Sequence, residues 1–162
     1  LARQGLDVAD IAIAINDELL DVQSERFVTF AIGWLDCSTG RAKVVNCGHG
    51  PMIVVPHGGG QVAQFEAQTQ PLGIAPLDAG LLVPTEHDLT GSFLCLATDG
   101  ITEAEAGGRE LGLGGLAGLL ARIRADRAAD CVTAVMRLFE TGKLTTHDDA
   151  TLLVVTAAGE GA

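Results

Sequence analysis

An α+β fold, an antiparallel sandwich with helices outside, is predicted by the order of patterns along this chain. Three observations carry it. After an opening helical stretch, runs of β-branched and aromatic residues separated by turn residues occupy the sequence up to residue 98. Apolar residues at helical spacing take over after Gly100, and one short apolar run closes the pattern at 150–156.

Residues 6–22 read as a helix, because Val8, Ile11, Ile15, Leu19 and Val22 recur at spacings of three and four and Asp7 is placed to cap them. Residues 26–35 and 41–47 form a β-hairpin around the turn Cys37-Ser38-Thr39-Gly40. Residues 51–55 and 61–66 make a second strand pair around His57-Gly58-Gly59-Gly60. Residues 70–76, QPLGIAP, are a loop, and 81–89 and 92–98 are two further strands joined at Thr90-Gly91. Leu116, Leu119, Leu120 and Ile123, then Val132, Val135, Met136 and Phe139, mark two amphipathic helices. The run ATLLVVT at 150–156 is short enough for a buried strand.

The 162 residues suit one domain, 1–162, with a real core, and 48% apolar content makes the chain globular. No run approaches the roughly 18 apolar residues needed to cross a bilayer, and no signal-peptide pattern opens the chain, so no membrane and a cytoplasmic location are expected. Cys37, Cys47, Cys95 and Cys131 show no CxxC or CxxH spacing and read as small buried thiols in a reducing compartment. A net charge of −11 repels a phosphate backbone, which excludes nucleic acid as a partner and is compatible with divalent cations. The chain starts at Leu1 rather than Met, as a piece of a longer protein would.

The stretch LCLATDGITEA, 94–104, raises the chemical question, because an apolar strand ends on a carboxylate. Asp99 and Glu103, four apart, share one side of a helical turn, whereas adjacent Asp148 and Asp149 point to opposite faces of an extended chain. Carboxylates converging within about 4 Å would repel by roughly 4 kcal/mol at an effective dielectric near 20, and a divalent cation is the usual remedy. His49, in NCGHGP at 46–51, reads either as a base or ligand or as a tight turn with backbone bonds. His57, His87 and His147 are single surface-type histidines, and no serine sits in a nucleophile elbow.

Taken in order, NCGHGPMIVV, QPLGI, LCLATDGITEA and HDDATLLVV resemble the motifs of the SpoIIE- and RsbU-like branch of the PPM (type 2C-like) metal-dependent protein phosphatases. The resemblance spans about residues 8–155 and implies an αββα sandwich, two antiparallel sheets flanked by helices, holding two Mn²⁺ or Mg²⁺ ions at one end. It implies a metal-dependent serine/threonine phosphatase, in which water activated by two ions attacks the phosphorus and no protein nucleophile is used. By motif, Asp99 with Gly100 and Asp148 would serve the metals. Asp149 takes a place where related enzymes carry Asn, and Glu103 a place associated with a third ion, while Gly48 and His49 would shape the site. The implied partner is a phosphoprotein, an anti-sigma-factor antagonist of a bacterial stress or developmental pathway, with a sensor or regulatory domain upstream.

One family motif, a Gly-Asp-Val-Ser-Gly-His-Gly segment bearing the first metal-binding Asp, is not among these residues. The 162-residue chain alone is therefore expected to be inactive. The alternative reading is a catalytically inactive phosphatase-fold module that binds partners.

Overall fold

The computed structural model describes residues 6–22 and 26–157. Within them the chain forms two compact units that interleave in sequence, one comprising Leu1–His49 and Glu66–Asp88, the other Gly50–Phe65 and Leu89–Ala162.

The first unit opens with α1 (Val8–Asp21), begun by the expected cap: the Asp7 carboxylate accepts from the Val8 N–H at 2.6 Å, and the Asp7 N–H donates to Asp10 Oδ2 at 3.2 Å. Its innermost residues are Val8, Ala9, Ala12 and Asn16, so the buried face includes Val8 of the predicted run, with Ile15 and Leu19 packed beside it, and is rotated away from Ile11 and Val22. Val22 is 71% exposed. Small side chains at Ala9 and Ala12 let the helix settle closely, so contact centres on them and Ile13, Ile15 and Leu19 flank it. Under the helix lie β1 (Phe30–Asp36) and β2 (Arg41–Cys47), the expected hairpin, closed where Asp36 accepts from the Ser38 N–H and hydroxyl. Those bonds hold the Asp36 carboxyl below its ordinary pKa.

β5 (Thr85–Asp88) completes the antiparallel order β1-β2-β5. It is shorter than the strand expected over 81–89, because residues 78–83 fold into consecutive turns in which Leu81 and Leu82 donate to the Asp78 carbonyl. A pattern of apolar residues does not distinguish a strand from a turn that buries only Leu82. His87, expected at the surface, is 6% exposed, and burial lowers its pKa.

In the second unit β3 (Met52–Pro56), β4 (Ala63–Phe65), β6 (Ser92–Ala97) and β9 (Leu152–Val155) form an antiparallel sheet in the order β4-β3-β6-β9. The glycine turn after β3 donates from Gly58 to the Ala125 carbonyl at 3.2 Å and from Gly60 to the Ala121 carbonyl at 2.9 Å. One sheet face, with Ile53, Val55, Phe93 and Cys95, is covered by α2 (Asp99–Thr102), α3 (Gly112–Leu120) and α4 (Ala128–Glu140) through Ile101, Leu116, Leu120 and Val135. Ile123 falls beyond α3 in a turn. A small hairpin, β7 (Glu105–Ala106) with β8 (Arg109–Glu110), was not foreshadowed by any periodicity, being only two residues per strand. β9 is an edge strand rather than a fully buried one, and its Leu153 is 53% exposed. Both expected antiparallel sheets and the expected helices are thus present. β5 and β6, consecutive in sequence, belong to different sheets.

Candidate metal centre

β6 is the inner strand that delivers Asp99. Its residues Phe93 to Leu96 are buried, and it is paired on both sides, by β3 and β9, so its end has little freedom. Thr98 follows as the residue before α2, where a threonine hydroxyl ordinarily caps the helix. Here that hydroxyl goes elsewhere. Thr98 Oγ1 donates to the Asp149 carbonyl at 3.2 Å and accepts from the Thr151 N–H at 2.9 Å, while the Thr98 N–H donates to the Thr151 carbonyl at 3.0 Å.

A second tie lies on the far side of the acids. The Glu105 N–H donates to the Thr145 carbonyl at 2.8 Å, and the Thr145 N–H returns a bond to the Glu105 carbonyl at 3.0 Å. Segments 98–105 and 145–151 are therefore bonded to each other at both ends, and the closed backbone ring they make carries Asp99, Glu103, Asp148 and Asp149. Gly100 sits inside it. A Cβ at this buried position would overlap the Asp149 carbonyl oxygen, so the ring closes only because residue 100 has no side chain.

The four carboxylates differ in how they are held. Asp148 Oδ1 accepts from the Asp149 N–H at 2.7 Å, and the Asp148 N–H donates to Thr146 Oγ1 at 3.2 Å, fixing the turn that presents the pair. Asp99 and Glu103 are linked through the backbone of α2, with the Glu103 N–H on the Asp99 carbonyl at 2.7 Å. All four residues are exposed. Hard oxygen donors on a rigid backbone suit Mg²⁺ or Mn²⁺, which keep several waters. Among the described residues no three His, Cys, Asp or Glu side chains converge closely enough to hold an ion. The ring thus fits a divalent ion in donor type but not in donor number.

Gly48 and His49 lie in the other unit, in a different kind of structure. The His49 N–H donates to Oδ1 of fully buried Asn46 at 2.9 Å, the Asn46 N–H donates to Gln68 Oε1 at 2.7 Å, and the Gln68 N–H donates to the Asn46 carbonyl at 2.9 Å. Gly48 has φ +67°, and a Cβ there would overlap the Pro71 ring, which is how NCGHG and QPLG meet. Asn16 of α1 joins the same knot by accepting from the Gly73 N–H at 3.0 Å and donating to the Ala75 carbonyl at 3.3 Å. The turn reading of His49 accounts for its backbone.

Sequence reasoning overlooked Thr98, Thr145 and Thr151, which close the ring, and Asn16 and Gln68, which close the knot. Asn16 left a signal, a polar residue four positions after Ala12 on the buried face. The threonines left none, since they act through backbone and hydroxyl bonds.

A family model described as Stage II sporulation protein E (SpoIIE) matches residues 1–158. The chain belongs to the SpoIIE family. Comparison with the curated proteins returns no match. Solved structures share the SpoIIE-type fold. The RsbU and RsbW domains of Rv1364c from Mycobacterium tuberculosis match at 24% identity over 93% of this chain and 42% of that one, with a TM-score of 0.69. The Mn-presoaked phosphatase domain of the cell fate determinant SpoIIE from Bacillus subtilis matches at 20% identity over 98% and 69%, with a TM-score of 0.63. RsbX in complex with magnesium matches at 15% identity over 93% and 65%, with a TM-score of 0.61. This SpoIIE-family chain therefore spans less than half of the first structure and about two-thirds of the other two. Among the described residues no helix is long and apolar enough to cross a membrane.

Proposed function

We propose that this chain is part of a Mn²⁺- or Mg²⁺-dependent serine/threonine phosphatase domain acting on a phosphoprotein. The observation that carries the reading is the closed ring, in which two acidic loops distant in sequence are bonded end to end beside a strand fixed on both sides. Family membership makes phosphoryl chemistry the first candidate for such a ring, and the solved relatives prepared with manganese or magnesium point to the ion type. Asp99 and Asp148 are the proposed metal ligands, with Gly100 fixing the loop and Asp149 and Glu103 supplying further oxygens. A bound ion would neutralise charge on the phosphoryl group and activate water. The protein's part is to keep the carboxylates in place before substrate arrives, which costs nothing at the moment of reaction.

The phosphorylated partner is proposed to be an anti-sigma-factor antagonist, by analogy with the regulatory phosphatases of the family. The test is phosphate release from a phosphoserine peptide with and without Mn²⁺, made on the parent protein including sequence upstream of Leu1. Metal-dependent turnover lost in Asp99→Asn supports the phosphatase. No turnover, with retained binding of a phosphorylated or unphosphorylated partner, favours the non-catalytic module instead.

A further inference from the structure

The ring carries an appendage that metal binding does not use. Directly after Glu103 the chain forms the β7–β8 hairpin, whose tip is the exposed pair Gly107-Gly108. The hairpin is anchored at its base by the Glu105–Thr145 bonds and by the Leu111 N–H on the Ala104 carbonyl at 2.7 Å. Its register is Glu105 opposite Glu110 and Ala106 opposite Arg109. Because alternate residues of a strand face opposite ways, Glu105 and Glu110 share one face, and Ala106 and Arg109 share the other with Ala104 and Leu111. Arg109 is thereby directed away from the two glutamates beside it.

The charge pattern gives that orientation a meaning. Segments 98–111 and 145–151 hold six acids, Asp99, Glu103, Glu105, Glu110, Asp148 and Asp149, and Arg109 is their only lysine or arginine. Arg109 is exposed and takes no part in the Lys43–Glu86 ion pair. Arg109 stands one ladder step, about 3.3 Å, beyond the Glu105 position that closes the ring, towards the tip. A planar guanidinium there is suited to pairing with a carboxylate.

We propose that the β7–β8 hairpin is a substrate-reading arm and that Arg109 is a specificity-determining residue, contacting an acidic side chain that flanks the phosphoserine of the phosphoprotein. The proposal rests on the phosphatase reading above. The arm lies outside the ring, so it meets the flank of the substrate chain rather than the phosphoryl group. Without the arm, a site this acidic would disfavour acidic flanks; with it, one such flank is accepted.

The experiment uses the parent phosphatase with Mn²⁺ and two phosphoserine peptides, one with aspartates beside the phosphoserine and one with asparagines. The expected result is that Arg109→Ala lowers the acidic-to-neutral ratio of kcat/KM about two- to five-fold, the upper range for an exposed ion pair, with the change in KM. Arg109→Lys should restore part of the ratio, and Arg109→Glu should lower it further than Arg109→Ala does. An unchanged ratio, or an equal loss of kcat on both peptides, overturns the proposal and leaves the phosphatase reading standing. Absence of metal-dependent turnover on either peptide by the unsubstituted protein overturns both.

Discussion

The acidic ring and the Asn46–Gln68 knot are both built from glycine-bearing motifs, yet they solve opposite problems. In the knot two polar side chains, Asn16 and Asn46, are fully buried, and its bonds supply them with partners that water cannot, as the Gly73 N–H does for Asn16. In the ring, backbone groups and the Thr98 hydroxyl make the closing bonds, and the four acidic residues are left exposed, with only one Asp148 oxygen engaged, by the Asp149 N–H. Polar side chains consumed by structure are unavailable for chemistry. The ring therefore keeps its acids available, and the knot supports the fold of its own unit.

The sharpest way to break the comparison is at Gly100. Gly100→Val places a side chain against the Asp149 backbone, which cannot swing aside, so a loss of about 2–3 kcal/mol is expected. For a chain of this size that is a fall of roughly 5–10 °C in Tm, measurable by calorimetry. A value near that of the unsubstituted chain would mean that the two loops are not closed on each other. Next is the knot. Asn16→Ala leaves the half-buried Gly73 N–H without its acceptor and opens a space where a fully buried side chain stood, and should cost about 1–2 kcal/mol in urea unfolding, with no effect on any Mn²⁺-induced stabilisation.

Asp99→Asn should do the reverse. Removing one exposed charge from an acidic ring changes stability in the absence of metal by at most about 0.5 kcal/mol, in the stabilising direction, because solvent screens the repulsion. It should abolish Mn²⁺-induced stabilisation, which for a single site at ten times its Kd would be about 1.4 kcal/mol. A mutant still stabilised by Mn²⁺ like its parent would make Asp99 a turn residue only. The smallest effect is expected at His87. Burial lowers its pKa in the folded state, so the unfolded chain takes up the proton more readily, and stability falls as pH drops below the ordinary imidazole range towards the folded value. His87→Gln should flatten that slope in a pH series of melting curves.

Much of this was legible in the sequence, and what was not has a common cause. The α1 cap, the β1–β2 hairpin and strands β3 and β6 announce themselves through periodicity and turn chemistry, which are local. The buried face of α1 was found at Val8, Ile15 and Leu19 but set off-centre, because large apolar residues dominate a pattern while Ala9 and Ala12 decide how closely the helix can approach. The strand over 81–89 was overextended because Leu81 and Val83 are apolar yet exposed, at 78% and 65%. At the site, the acids were visible as types in motifs. Their closure into a ring was not, since Thr98 and Thr151 are 53 residues apart and interact through generic groups. Cysteine character was read correctly for three of the four: Cys47, Cys95 and Cys131 are buried, and Cys37 is exposed. Exposure makes Cys37 the position an aqueous alkylating reagent should find.

The interleaving of the two units bears on how the chain emerges from a ribosome. Every strand of the β1-β2-β5 sheet has been synthesised once Asp88 is made, whereas the other sheet has only β3 and β4 at that moment. Its inner strand β6 follows immediately, with one flank paired by β3 and the other bare until β9 arrives nearly sixty residues later. During that interval the nascent chain exposes a row of unpaired amides and carbonyls along the strand that will deliver Asp99, so the interval before Val155 is when a growing chain is most open to pairing with the wrong neighbour.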